Sequence, residues 1–153
     1  MLQVTARALA RQPFLRGMAP EHLDALAAAA TEVMFPARQR IFEEGGHAGC
    51  FWLIESGHVA LDVRVPDDRP AVVGTVGIGG LLGWSWMVPP YRWEFGAVSL
   101  SEVRAFQFNA AAVLDRCAVD PSLRDELTGR LFRVVTGRVH GTRATLVARS
   151  PEA

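Results

Sequence analysis

Between residues 31 and 108 the chain is broken into apolar or alternating runs of four to eight residues, each closed by a turn signal. This rhythm allows little besides an antiparallel β-sandwich or barrel. The runs cover residues 31–35, 40–43, 50–55, 58–65, 71–76, 95–100 and 102–108. Between them stand Pro36, Gly45-Gly46, Ser56-Gly57, Pro66-Asp67-Asp68, Gly77-Ile78-Gly79-Gly80 and a break around Ser99 to Ser101. Several of these connections are long enough only for tight turns, so neighbouring strands pair antiparallel or cross between two sheets.

The flanks read differently. Residues 20–30 are expected to form a short helix: Pro20 suits a first-turn position, Glu21 and Asp24 favour the positive end, and Leu23, Leu26 and Ala30 share one face. Phe14 to Met18, just before it, is an apolar step that docks this helix on the core. After Phe108 the β rhythm stops. Asn109 is a plausible N-cap for a helix to about Cys117, and Asp120-Pro121 opens a longer one reaching about Arg149. On or near one stripe of that helix lie Leu123, Leu127, Leu131, Val134, Val135, Arg138, Thr142 and Leu146. It is too long to be covered by so small a β domain, which calls for a partner helix.

The expected fold is therefore mainly β with flanking helices: an antiparallel β-roll or jelly roll with a short N-terminal and a long C-terminal helix. One domain is expected over residues 1–153, with the first helix at about 20–30, the roll at about 31–108 and the C-terminal helices at about 109–149. Half the residues are hydrophobic and the formal net charge is zero. A protein that mainly neutralises phosphates needs a surplus of Lys and Arg on one face, so nucleic acid is not the expected partner. Every basic residue is Arg, which reads as a GC-rich genome rather than a function. Cys50 and Cys117 lack metal-type spacing and are expected as reduced, buried thiols, which fits a cytoplasmic protein. No apolar run approaches the ~20 residues of a membrane span, and no signal peptide is expected.

Three local patterns carry a resemblance. They are Arg40-Ile41-Phe42-Glu43-Glu44-Gly45, then Phe51-Trp52-Leu53-Ile54-Glu55-Ser56-Gly57-His58-Val59, then Gly79-Gly80-Leu81-Leu82-Gly83. Together with Phe14-Leu15 before the first helix, they resemble the cyclic-nucleotide-binding domain of the catabolite-activator and regulatory-subunit families over about residues 14–148. Gly45 and Gly57 also have a purely structural reason, since a tight hairpin needs a residue that tolerates positive φ. The resemblance implies that the segment from Gly79 to Arg92 is the phosphate-binding cassette, with Gly80, Leu81, Leu82, Gly83, Trp84, Ser85, Tyr91 and Arg92 as candidate ligand-binding residues.

Family members that bind a cyclic nucleotide read "F-G-E … R-x-A" there: the glutamate accepts from the ribose hydroxyl and the arginine pairs with the phosphate. Here the triplet is Leu82-Gly83-Trp84, and the arginine position falls near Tyr91 or Arg92. A charge-assisted hydrogen bond contributes about 1.5–3 kcal/mol, so loss of the carboxylate alone weakens binding roughly ten- to a hundredfold. Trp84 and Trp86 have two readings. They plug the pocket or fill the core, or an indole offers a stacking face or N–H donor to a less polar ligand. Ser85 reads as a cap for a short helix.

Catalysis finds little support. A jelly roll raises the metal-binding cupins, but their H-x-H pair with a following Glu and later His is missing; His22, His47, His58 and His140 are scattered. No Ser lies in a G-x-S-x-G elbow, and Glu43, Glu44 and Glu55 flank turns. The expectation is no enzyme, no metal and no resident cofactor, with a small-molecule or nucleotide effector of unknown identity left open. Because the sequence stops at Ala153, soon after the long helix, no recognition helix and no direct DNA binding are expected. The long helix is the expected output surface: a homodimer through Leu127, Leu131, Val134 and Val135, with a further protein partner possible in principle. Gly129, Gly137 and Gly141 weaken helix propensity by about 1 kcal/mol each, and mark a close helix–helix approach or a bend. Two functions stand: a sensor with an altered cassette, and a ligand-free interaction module with a self-filled pocket.

Overall fold

The computed structural model describes residues 3–149, with side chains to residue 137. Two four-stranded antiparallel sheets face each other in a β-roll. Strands β1 (Ala30–Phe35), β8 (Val103–Asn109), β3 (Cys50–Ser56) and β6 (Leu81–Leu82) form one sheet in that spatial order. Strands β2 (Arg40–Phe42), β7 (Gly96–Ser99), β4 (Val59–Val63) and β5 (Ala71–Val76) form the other. Helix α1 (Ala6–Leu9), a 3-10 turn (Pro13–Leu15) and α2 (Pro20–Ala28) precede the roll; α3 (Ala110–Val119) and α4 (Pro121–Arg149) follow it. The expected architecture is thus the one observed, with eight strands in place of the seven runs read from sequence.

The differences are local and have local causes. The first helix stops at Ala28 rather than at residue 30, because Ala30 already pairs with Phe108 at the start of β1. Strand β4 ends at Val63, ahead of the turn that Pro66 begins. Helix α1, absent from the sequence reading, has a single turn, capped by Thr5 Oγ1 accepting from the Ala8 amide at 3.1 Å. The later caps fall where expected: Asn109 Oδ1 accepts from the Ala112 amide at 3.0 Å, and Asp120 Oδ1 accepts from the Leu123 amide at 3.3 Å.

Strand β3 is buried on both faces, from Phe51 to Ile54. Trp52 points between the sheets and stacks on Phe42 with ring centroids 5.6 Å apart. Phe51, one residue earlier and so on the opposite face, stacks on Phe108 at 4.6 Å and on Trp86 at 4.4 Å. At Gly57, where the hairpin turns with φ +95°, a Cβ would run into the carbonyl of Glu102, so both φ and close backbone approach demand glycine.

Helix α4 docks through Leu123, Leu127 and Leu131, all buried in the chain's own core, with Val134 half-buried beyond them. Two of the four residues assigned by sequence to a dimer contact, Leu127 and Leu131, therefore pack inside their own protomer. Phe132 is 70% exposed on another face of the helix. The side chains of Arg138, Thr142 and Leu146, also placed on the stripe, lie outside the described residues. Polar contacts tie the helix down: His22 Nδ1 meets Glu126 Oε1 at 2.7 Å, and Arg130 donates to the carbonyls of Phe14 and Arg16 at 2.7 and 3.0 Å. Burial works to raise the Glu126 carboxyl, but hydrogen bonds from His22 and Arg130 outweigh it and hold the group below its usual range.

Glu55 is the counter-case. Burial first, then the neighbouring Glu32 carboxyl, pushes it up to about 7. A carboxyl whose folded-state pKa is raised keeps a proton that the unfolded chain has already released, so stability is lost as pH rises from the ordinary carboxylate range to about 7. Glu55→Gln is expected to stabilise the protein more at pH ~8 than at pH ~5, as read by urea denaturation at the two pH values; an equal effect at both would refute the raised value.

Candidate ligand cassette

The segment between β5 and β7 was assigned to ligand binding from sequence. Its entry turn is fixed by backbone pairing: the Gly79 amide donates to Ile54 O at 2.8 Å, and the Ile54 amide to Gly80 O at 3.0 Å. β6 then pairs Leu81 with Leu53 and Leu82 with Trp52, and both leucines are buried in the core. Gly83 follows with φ +91°, and a Cβ there would lie 2.7 Å from Cζ3 of Trp93. Glycine is needed twice over, for the backbone conformation and for the indole lying against it.

Ser85–Met87 form a 3-10 turn, and Ser85 is buried at its start. Trp86 is 1% exposed and stacks on Phe51, so it belongs to the core. Trp84 is half-buried, edge-on to Phe95 at 5.6 Å. Tyr91 is exposed, with φ +59°, and its carbonyl accepts from the Ala48 amide at 2.8 Å. Arg92 pairs with His47 in an isolated bridge and donates through Nη1 to Gly45 O at 3.0 Å. One of its five guanidinium N–H donors is thereby used at the surface.

Trp93 takes the position that matters most. Its backbone is clamped by Gly45 N to Trp93 O and Trp93 N to Gly46 O, both 2.8 Å. Its ring, 6% exposed, lies flat on Phe42 with centroids 3.9 Å apart and planes 15° from parallel. What remains between Gly83, Trp84, Ser85, Trp93, Phe95, Phe42 and Leu61 is a cavity of about 10 Å³. That is roughly the room of one water molecule. Among the described residues, Glu94 is the one ionisable side chain that lines it.

The nearby cation is already committed. Arg40 Nη1 and Nη2 donate to the two oxygens of Asp62 at 2.9 and 3.0 Å, and Arg40 Nε lies 3.3 Å from Glu43. The hydrogen bond with Asp62 is the main reason the guanidinium holds its proton even more firmly than usual. Gly96 makes room for this pair, since a Cβ there would run into both Asp62 and Arg40.

Of the eight candidate residues, the fold brings together Gly83, Trp84 and Ser85. Gly80, Leu81 and Leu82 build the turn and the core behind them, and Tyr91 and Arg92 face outward. The sequence reading missed Phe42, Trp93 and Phe95. Trp93 and Phe95 precede the strand that begins at Gly96, so no strand period in the sequence marks them as cavity-lining. One arrangement looks like a nucleophile and base: His22 Nε2 lies 3.0 Å from Ser122 Oγ. It is a helix cap, because the Ser122 hydroxyl is donated to Asp120 at 2.7 Å.

Two sheets closed into a roll, a short strand ending in a positive-φ glycine, a 3-10 turn and a long trailing helix define a class of small-ligand regulatory domains. The model for the cyclic nucleotide-binding domain family matches residues 32–120, more than half of the chain, and the chain belongs to that family. It is 28% identical over 138 residues to a CRP-like cAMP-activated global transcriptional regulator of Mycobacterium tuberculosis, covering 90% of this chain and 60% of the relative. The chain thus spans about 60% of the length of that curated relative. A structure from Geobacter metallireducens GS-15, described as a cyclic nucleotide-binding protein, superposes with a TM-score of 0.81 at 24% identity, covering 90% of this chain and 99% of the other. The catabolite activator protein of Thermus thermophilus superposes with a TM-score of 0.69 at 20% identity, covering 89% and 63%. Among the described residues, no helix is long and apolar enough to cross a membrane.

Proposed function

We propose that this chain is a regulatory β-roll whose ligand cassette is closed by its own aromatic side chains, so that it works as an interaction module without binding cAMP or cGMP. The observation that carries this reading is the cavity of about 10 Å³ between Gly83 and Trp93. Pockets that hold small ligands have about 300–1,000 Å³. Trp84 stands in place of the ribose-binding glutamate, and Tyr91 and Arg92, near the arginine position, are exposed and do not line the cavity. An anionic ligand would meet aromatic rings and the carboxylate of Glu94 in place of a cation.

The output surface in this reading is α4, and its partner is a second copy. Leu127 and Leu131 are spent on the protomer's own core, so the contact shifts to the neighbouring face, where Phe132 is exposed and Val135 half-buried. The protein is cytoplasmic and non-enzymatic in this account.

Thermal unfolding with millimolar cAMP, cGMP and cyclic dinucleotides tests the closed cassette. A ligand with a dissociation constant a hundredfold below its concentration adds about 2.7 kcal/mol, which raises Tm by roughly 5–11 °C for a chain of this size. No shift is expected. A rise that Arg92→Ala abolishes would establish the competing sensor reading instead.

A further inference from the structure

Two glycines and a phenyl ring shape the seat that the Trp93 indole fills. A Cβ on Gly83 would lie 2.7 and 2.8 Å from Cζ3 and Cη2, at the benzo end of the indole. A Cβ on Gly46 would touch Cδ1, at the pyrrole end, at 3.5 Å. Phe42 stacks on the ring with centroids 3.9 Å apart, and Trp52 lies 6.0 Å away at 31°. The seat is thus bounded at both ends of a fused bicycle and flat on the side of Phe42.

Its chemistry is neutral. The small space left beside the ring is lined by Leu61, Ser85 and Phe95 among others, and Glu94 is the one ionisable side chain on it among the described residues. A flat, uncharged aromatic matches that lining. An anion would lose its water beside a carboxylate, with no cation among the described lining residues to offset the loss.

The segment that carries Trp93 is held independently of its ring. Gly45 N donates to Trp93 O, Trp93 N to Gly46 O and Ala48 N to Tyr91 O, each at 2.8 Å, and His47 pairs with Arg92 between them. These bonds are made by the backbone, so they outlast the loss of the indole. Removing the ring leaves the walls standing around a vacated seat. An apolar cavity of about 150 Å³ in a packed core stays dry and takes up benzene. We infer that Trp93 is a tethered ligand, and that the seat it fills is a binding site for planar, uncharged aromatic bicycles of the indole class. This rests on the closed cassette of the proposed function and names the chemistry that closes it. In the wild-type chain the tether holds the indole at an effective concentration of millimolar or more, so a free bicycle below that level does not displace it.

The test is a titration of Trp93→Ala with indole, read by thermal unfolding and by the amide signals of Gly46 and Gly83. At tenfold its dissociation constant, indole is expected to raise the Tm of the variant by about 3–6 °C and to shift both glycine signals, with no effect on the wild-type chain. Indole-3-acetate, the same bicycle bearing a carboxylate, is expected to bind at least about tenfold more weakly. The absence of a saturable shift in a variant that circular dichroism shows to be folded overturns the proposal. An equal shift in the wild-type chain overturns it too, since indole would then bind elsewhere, and equal binding of the two compounds overturns the uncharged class. Should Trp93→Ala not fold, Gly83→Ala replaces it: the added Cβ drives the benzo end of the ring from its seat, and hydrogen exchange at the Trp93 indole N–H is expected to quicken about tenfold or more. An unchanged rate would mean that the ring is not seated on Gly83. The closed cassette itself is judged separately, by the response of the wild-type chain to cAMP.

Discussion

Trp93→Ala is expected to lower stability by about 3–5 kcal/mol, the range for deleting a buried large aromatic from a packed core. The size follows from the contacts that vanish together. The indole lies flat on Phe42 at 3.9 Å, adjoins Trp52 at 6.0 Å and covers the bare Cα of Gly83. Stacked aromatic pairs contribute about 0.5–1.5 kcal/mol beyond the area they bury. Because Trp93 is held through its backbone by Gly45 and Gly46, the variant leaves the loop in place and opens a void instead of collapsing. Urea denaturation checks the loss, and a change below about 1 kcal/mol would mean the ring is not packed as described. The enlarged cavity is not expected to gain cyclic-nucleotide affinity, since Arg40 stays with Asp62 and, among the described residues, no cation lines the site.

Asp62→Ala is the second large effect. Asp62 is 7% exposed and accepts two hydrogen bonds from Arg40, so its removal leaves a partly buried guanidinium facing the space made by Gly96. Breaking a fully buried ion pair costs about 3–5 kcal/mol. Here the Arg40 side chain remains 35% exposed and keeps Glu43 at 3.3 Å, so solvent and the second carboxylate screen the loss. A destabilisation of about 2–3 kcal/mol is expected, and Arg40→Met/Asp62→Leu should recover part of it, since a matched apolar pair leaves no charge behind. A double variant no more stable than Asp62→Ala would place the cost in backbone geometry at Gly96 instead.

The contrast between what the sequence disclosed and what it hid follows from range. Caps and turns are decided within a few residues, so Asn109, Asp120-Pro121, Gly45 and Gly57 could be placed by reading. β6 could not, because two residues of strand have no period of their own and are defined by pairing with Leu53 and Trp52. The cassette was found through its glycines, but what fills it was not. The partners Phe42 and Trp93 are about fifty residues apart, and no local pattern couples them. Trp86 and Trp84 were read as a pair, yet they face opposite ways, one into the core against Phe51 and one toward Phe95. On α4, Leu131 and Phe132 are adjacent, and one is buried while the other is open. Apolar spacing identified the helix but not which of its two apolar faces the roll would take.

The closed cassette is tested most directly by the tryptophan indole N–H signals of the isotopically labelled protein, recorded while cAMP is added to millimolar concentration. Closure by Trp93 predicts that the signals of Trp84 and Trp93, and the amide of Gly83, do not move. A saturable shift of those three, with Trp86 unchanged in the core, would mean that the aromatic plug yields to the nucleotide and that the cassette still binds one.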